Sequence, residues 1–76
     1  MSRHPGVENA LRWLEPNPNL PDHLRTISEA VHEAALELVA DIETDSPELT
    51  SGLNLLVQAK DHLVRAKILD KEKRNP

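Results

Sequence analysis

The spacing of apolar residues most constrains what this chain can fold into. Two long stretches carry apolar side chains three and four positions apart, which is the period of an α-helix. In the first stretch these residues are Leu24, Ile27, Val31, Ala34, Leu38 and Ile42, and in the second they are Leu49, Leu53, Leu56, Ala59, Leu63 and Ala66. No stretch alternates apolar and polar residues with a period of two. The sequence therefore predicts an all-α fold.

The segment between the two stripes indicates how the helices meet. Ser46 is a favourable N-cap and Pro47 suits the first position of a helix. We therefore expect helices over residues 21–44 and 47–70, packed antiparallel as a hairpin because the linker is short. With the turn centred near Asp45, opposed residues have numbers that sum to about 90.

A shorter helix is predicted ahead of the hairpin, over residues 7–15. One face of this segment is apolar and consists of Val7, Ala10, Leu11 and Leu14. Pro16 and Pro18 end the helix, because a residue that precedes proline avoids helical backbone angles. Residues 16–21 then form a proline spacer.

The size of the chain bounds its organisation. Residues 1–76 make a single domain, and the charged tail at 71–76 is expected to fray. Domains of this size often depend on disulfides, metals or oligomerisation, and the sequence has no cysteine. Further apolar side chains lie beside the two stripes, at Leu36, Val39, Leu55, Val57, Val64 and Ile68. Because a lone hairpin cannot cover this surface, we expect the protein to assemble as a homo-oligomer.

Charge and hydropathy exclude several classes of partner. The formal net charge is −4, which argues against binding to DNA or RNA polymers. No apolar run is long enough to span a membrane, and the first ten residues lack the apolar core of a signal peptide. We therefore expect a cytoplasmic protein without a membrane partner.

The charges are unevenly distributed along the chain. No lysine or arginine occurs from Thr26 to Ala59, and four acids spaced four apart form one stripe: Glu29, Glu33, Glu37 and Asp41. Basic residues dominate from Lys60 onward. The acidic stripe is either a solvated face or a surface that meets the basic helix end of a neighbouring subunit.

The single aromatic residue, Trp13, stands beside Arg12 on the short helix. In the predicted hairpin Arg25 lies beside Arg65 at the open end, and the spacer suspends Arg12 and Trp13 from that same end. Guanidinium groups bind phosphate in a bidentate manner, and an indole offers a face on which a base can stack. This combination is typical of a nucleotide pocket. The alternative, which spacing alone favours, is that Trp13 packs the short helix onto the hairpin as its hydrophobic anchor.

Catalytic and metal-binding patterns are absent from the sequence. The two glycines are isolated, no serine or threonine pairs with a histidine and an acid in a recognisable order, and the four histidines lack metal-ligand spacing. We expect neither an enzyme nor a metal or cofactor. Thr50, one turn into the last helix, either helps to hold an anion or satisfies first-turn backbone groups.

The run "DSPELTSGLNLLVQAKDHLVRAKI" resembles the second hairpin helix of small phage proteins with the anti-CBASS/anti-Thoeris hairpin domain. The family pattern matches Ser46, Glu48, Thr50, Gly52, Leu53, Leu56 and Ala59. Upstream, "RWLEPNPNLPDHLRTI" is similar to the family's aromatic residue and proline-containing turn, with Trp13 in the aromatic position. Where members often have Trp and Asn late in this helix, the chain has His62 and Val64.

The resemblance implies a bent N-terminal helix, a helical hairpin and interlocked subunits that form a hexamer in known cases. It also implies a sponge that binds cyclic di- or trinucleotides, or cyclic ADP-ribose-type messengers, in the infected bacterial host cell and does not cleave them. By position, Trp13 would stack on a base, Arg25 would hold phosphate and Arg65 would serve a second pocket. Arg12 is added because it adjoins Trp13.

Two alternatives belong to other classes of protein. The first is a structural or protein-interaction hairpin, such as a small phage adaptor, in which Trp13 is buried against its own hairpin. The second is an antagonist that masks a host protein with the acidic stripe.

Overall fold

The computed structural model describes residues 3–74, and these form three helices. Helix α1 spans Pro5–Leu14, α2 spans Asp22–Asp41 and α3 spans Pro47–Arg74. Within the described residues there is no strand. The prediction of an all-α fold is therefore confirmed.

Helix α1 begins earlier than the range 7–15 predicts, because its N-terminus is capped. A proline occupies its first position, and the backbone N–H of Gly6 donates to Nδ1 of His4 over 3.0 Å. The helix ends where Glu15, directly ahead of Pro16, adopts an extended backbone. The prolines therefore stop α1 for the predicted reason.

Helices α2 and α3 form the predicted antiparallel hairpin. Ile42 and Leu49 border one groove between the helices, and Ile27 and Leu63 border another, so opposed residue numbers sum to about 90. The hydroxyl of Ser46 accepts a hydrogen bond from the backbone N–H of Leu49 over 3.1 Å. This bond confirms Ser46 as the N-cap of α3.

The ends of the hairpin helices differ from the sequence prediction. Helix α2 stops at Asp41, three residues before the predicted end, and α3 continues through Arg74 where a frayed tail was expected from residue 71. Lysine, glutamate and arginine are good helix formers, and nothing between Asp70 and Arg74 interrupts the helix. Residues 75 and 76 lie outside the described residues.

The hydrophobic core lies where α1 packs onto the hairpin. Val7, Ala10 and Leu14 of α1 are fully buried, which confirms the predicted apolar face. They form one cluster with hairpin residues of both helices: Ala35, Val39, Leu49 and Leu53. The core is therefore built by three helices and not by the hairpin alone.

The apolar stripe of α2 is only partly buried in the protomer. Leu24 of the stripe is buried but Leu38 and Ile42 are exposed, and the other buried positions, Ser28, Ala35 and Val39, lie beside the stripe. The small side chains at 28 and 35 leave room for a third helix to approach closely. Helix α2 thus has two apolar sides. Helix α1 covers one of them, and the other remains exposed in the protomer.

Contacts at both of its ends hold α1 alongside the first half of α3. At the hairpin turn, Arg3 donates to the carbonyl of Ile42 over 2.7 Å and pairs with Asp45 over 2.8 Å. At the other end, the amine of Lys60 donates to the carbonyl of Trp13 over 2.6 Å. In residues 3–74 no helix is both long and apolar enough to cross a membrane.

Candidate ligand-binding site

The indole of Trp13 projects into solvent. Its residue is 65% exposed, although the next residue, Leu14, is fully buried. Successive residues on a helix are turned by about 100°, so a helix that buries Leu14 directs its neighbour away from the core. The alternative that Trp13 anchors α1 to the hairpin is therefore wrong, since Val7, Ala10 and Leu14 fill that role.

Lys60 fixes the end of α1 that carries the indole. Carbonyl groups in the last turn of a helix lack intrahelical partners and attract cations. The amine of Lys60 meets this need at Trp13, 2.6 Å from its carbonyl oxygen. An ammonium group has three donors, so further hydrogen bonds can be made by the same amine. A cation therefore contacts the backbone of the same residue that carries the exposed indole.

A surface hollow of about 300 Å³ adjoins this cation, between the proline spacer and α3. It is lined by Glu15, Asn17, Leu20, Ser28, Lys60, Asp61, Val64 and Arg65. Lys60 and Arg65 supply two cations to the hollow, and Glu15 and Asp61 supply two carboxylates. The volume is at the lower end of the range for small-molecule sites. We call this feature the basic hollow after Lys60 and Arg65, although Glu15 and Asp61 balance their charge; Lys60 connects it to the backbone of Trp13.

Of the three predicted arginines, only Arg65 lines the basic hollow. Arg12 is exposed beside Trp13. Within residues 3–74 no hydrogen bond or ion pair engages the Arg12 guanidinium. Arg25 is paired with Asp22 over 2.6 Å in its own helix and does not line the hollow.

The predicted position of Trp13 at the open end of the hairpin was wrong. The open end consists of the start of α2 and the end of α3, whereas Trp13 lies beside Lys60 in the middle of α3. Helix α1 folds back along the hairpin, where its apolar face is buried against residues of both α2 and α3. Arg65 therefore lines the hollow beside Lys60, whereas Arg25, which the hairpin register places opposite Arg65, pairs with Asp22 and does not line it.

Thr50 belongs to a different place on the surface. It borders a hollow of about 400 Å³ at the N-terminus of α3, together with His4, Asp45, Ser46, Pro47 and Ser51. Ten residues of helix separate Thr50 from Lys60, which is about 15 Å along the axis. The structure therefore does not bring Thr50 together with the exposed indole.

Sequence reasoning missed Lys60 as a site residue. Its partner is a backbone carbonyl 47 residues away, and since every residue has a backbone carbonyl, the sequence does not mark this one. Only the register of α1 on α3 could have revealed the contact. A signal for that register existed in the buried face of α1, but the sequence did not show which part of α3 it would cover.

Comparisons with known proteins identify no relative: no family model matches, and no curated protein and no solved structure is significantly similar. In the part of the chain that the structure describes, no three histidine, aspartate or glutamate residues come together as possible metal ligands. The fold and site thus define a small three-helix protein with an exposed indole beside a basic hollow.

Proposed function

We propose that this protein is a phage-encoded sponge that binds cyclic oligonucleotide messengers of bacterial immunity and sequesters them without cleavage, as a homo-oligomer. The observation that carries the proposal is the exposure of Trp13, the only aromatic residue, on a helix end that Lys60 holds beside the basic hollow. The resemblance of Ser46 to Ala59 to the hairpin domain of viral sponges supports the class of ligand.

The proposed binding mode divides the ligand between the indole and the cations. A base lies flat on the indole of Trp13, since stacking on an aromatic face accepts any base. Arg65 and Lys60 receive a phosphate in the basic hollow, and Arg12 receives a phosphate on the outer side of the indole. Arg25 has a smaller role, because its guanidinium is already bonded to Asp22.

Thr50 contributes a second, weaker contact in this scheme. Its hollow lies at the N-terminus of the 28-residue helix α3, where backbone N–H groups and the helix dipole favour an anion. The two hollows are separate, so one protomer presents the ligand with two distinct surfaces. Sequestration then depends only on affinity and on the number of protein copies relative to the messenger.

Thermal-shift measurements against a panel of cyclic di- and trinucleotides and cyclic ADP-ribose isomers test this function, with linear nucleotides as controls. A ligand present at about a hundredfold excess over its Kd raises Tm by about 10 °C or more, because only the folded state binds it. Trp13→Ala abolishes the shift. Leu69→Ala is the control: it removes a large side chain of α3 that is about as exposed as Trp13, and it preserves the shift. A flat response across the panel contradicts the proposal.

A second candidate function has an observation of its own. Glu29, Glu33, Glu37 and Asp41 are all exposed on α2, and no lysine or arginine interrupts residues 26–59. Such a surface suits a protein that masks a basic site on a host protein, and its binding would weaken with salt. Glu33→Gln with Glu37→Gln separates the candidates. The double variant keeps the nucleotide-induced shift if the sponge proposal holds, and it loses host-protein binding if the acidic stripe acts.

A further inference from the structure

Two apolar hollows lie between α2 and α3, and of the described residues that line them none belongs to α1. The hollow near the hairpin turn measures about 380 Å³ and includes Leu38, Ile42, Leu53 and Leu56. The hollow toward the open end measures about 400 Å³ and includes Ile27, Val31, Leu63 and Ala66. These are the residues of the two apolar stripes, so we name this surface the stripe groove.

The protomer exposes more surface than a compact protein of its mass. Its accessible surface is 5665 Å² at 8.5 kDa, whereas the scaling law for folded monomers gives about 4,650 Å². Its radius of gyration is 14.0 Å, against about 11 Å for a globular chain of this length. The excess of about 1,000 Å² is close to the area that each partner of a standard protein interface buries, about 800 Å².

Gly52 lies in the stripe groove and has no role in the protomer that requires glycine. Among the described residues, a Cβ atom at this position would meet no heavy atom within 4 Å outside its chain neighbours and its own helix backbone. Glycine is nonetheless the least favourable residue in a helix interior after proline. The protomer would accommodate an alanine here, and a glycine suits a surface on which a second backbone packs closely.

Charged residues border both ends of the stripe groove. Glu48 borders the end at the hairpin turn, whereas Lys67 and Asp70, which pair with each other over 3.9 Å, border the end at the open side. In a two-fold pair, any contact between two different residues occurs twice. Placing the turn of one hairpin over the open end of the other brings each Glu48 toward the Lys67–Asp70 pair of the other copy, whereas placing turn over turn brings the two Glu48 carboxylates together.

From these observations we propose that a second copy of this chain fills the stripe groove, so that two hairpins form a two-fold antiparallel four-helix bundle. The turn of each hairpin lies over the open end of the other, and the helix backbones approach closely at Gly52. The inference rests on the self-association included in the proposed function and makes no use of a nucleotide.

Sedimentation equilibrium of the full chain without ligand tests the groove, using two leucines of one helix that are equally exposed. Leu38 lies in the stripe groove and is 48% exposed, while Leu36 lies outside it and is 46% exposed. Leu38→Lys weakens self-association at least tenfold, because it places a charge in the contact. Leu36→Lys leaves it unchanged. A wild-type chain that stays monomeric, or a Leu38→Lys variant that associates normally, overturns the proposal.

A charge exchange tests the orientation of the two hairpins. Glu48→Lys and Lys67→Glu each weaken association about threefold or more, since they bring like charges together at both ends of the pair. The double variant restores the wild-type affinity. Failure of the double variant to restore affinity overturns the antiparallel arrangement.

Gly52→Ala tests the close approach with two readouts of opposite sign. In the Leu38→Lys background, which isolates the protomer, alanine raises Tm by about 4 to 8 °C through its higher helix propensity. In the wild-type background the same substitution weakens association. Asn54→Ala, at an exposed position outside the stripe groove, raises Tm slightly and leaves association unchanged. Stronger association of Gly52→Ala contradicts the close approach.

Discussion

The amine of Lys60 lies 2.6 Å from the carbonyl oxygen of Trp13, although 47 residues separate them in the chain. This bond joins the last turn of α1 to the middle of α3. It keeps the backbone at Trp13 beside Lys60, which also lines the basic hollow. The position of the lone aromatic residue therefore depends on one side chain in another helix.

Lys60→Met tests how much this hydrogen bond contributes to the stability of the fold. The substitution keeps the aliphatic stem and removes the donor, and we expect the free energy of unfolding to fall by about 1 kcal/mol. Lys71→Met is the matched control, because Lys71 is exposed on the same helix and makes no hydrogen bond or ion pair with the described residues, so we expect a change below about 0.5 kcal/mol. Urea denaturation measures both variants. Equal losses would show that the bond to Trp13 has no special role.

Trp13 and Leu14 are neighbours with opposite environments, and their alanine variants should separate stability from binding. Trp13→Ala changes the free energy of unfolding by less than about 0.5 kcal/mol, because the side chain is mostly exposed. Leu14→Ala lowers it by about 2 to 5 kcal/mol, because the residue is fully buried. Denaturant unfolding checks both values. A large decrease in the free energy of unfolding for Trp13→Ala would show that Trp13 packs against the hairpin.

The sequence predicted much of the fold from periodicity. The buried face of α1 and the Ser46 cap were read correctly because each depends on local spacing. The side of α2 that α1 covers was not identified from the sequence, because the helix is apolar on two sides. Periodicity cannot tell which of those sides a third helix will cover, and small residues such as Ser28 and Ala35 do not stand out as core positions.

The candidate site was predictable only in part. The residue types were visible in the sequence, but the exposure of Trp13 and the contribution of Lys60 depend on how α1 lies on α3. Arg25 was assigned to the site from hairpin register, which ignored the carboxylate of Asp22 three residues away. Long-range packing and competing local partners therefore account for the differences.

The two arginines that the hairpin register placed together should differ in their effect on binding. Arg65→Ala weakens the affinity for a cyclic nucleotide at least tenfold, because Arg65 lines the basic hollow. Arg25→Ala weakens it by about threefold at most, since its guanidinium is committed to Asp22. Isothermal titration calorimetry gives both affinities. A larger loss at Arg25 would move the phosphate site to the start of α2.

Asp45 should stabilise the attachment of α1 to the hairpin turn. Its carboxylate pairs with Arg3 over 2.8 Å and accepts the backbone N–H of His4, and both partners belong to the segment that leads into α1. Asp45→Ala lowers the free energy of unfolding by about 2 kcal/mol, because one charge-assisted hydrogen bond and one partly buried ion pair are lost. Asp41→Ala, at an exposed position, serves as the control and changes it little. Similar values for the two variants would contradict the role of Asp45.

The indole N–H resonance of Trp13 gives the most direct measurement of the central claim, because the chain has one tryptophan and therefore one such signal. In a titration of ¹⁵N-labelled protein with the nucleotide that raises Tm most, the account predicts that this resonance shifts and saturates together with the backbone signals of Lys60 and Arg65. Saturable binding that leaves the indole resonance in place would contradict a ligand stacked on Trp13.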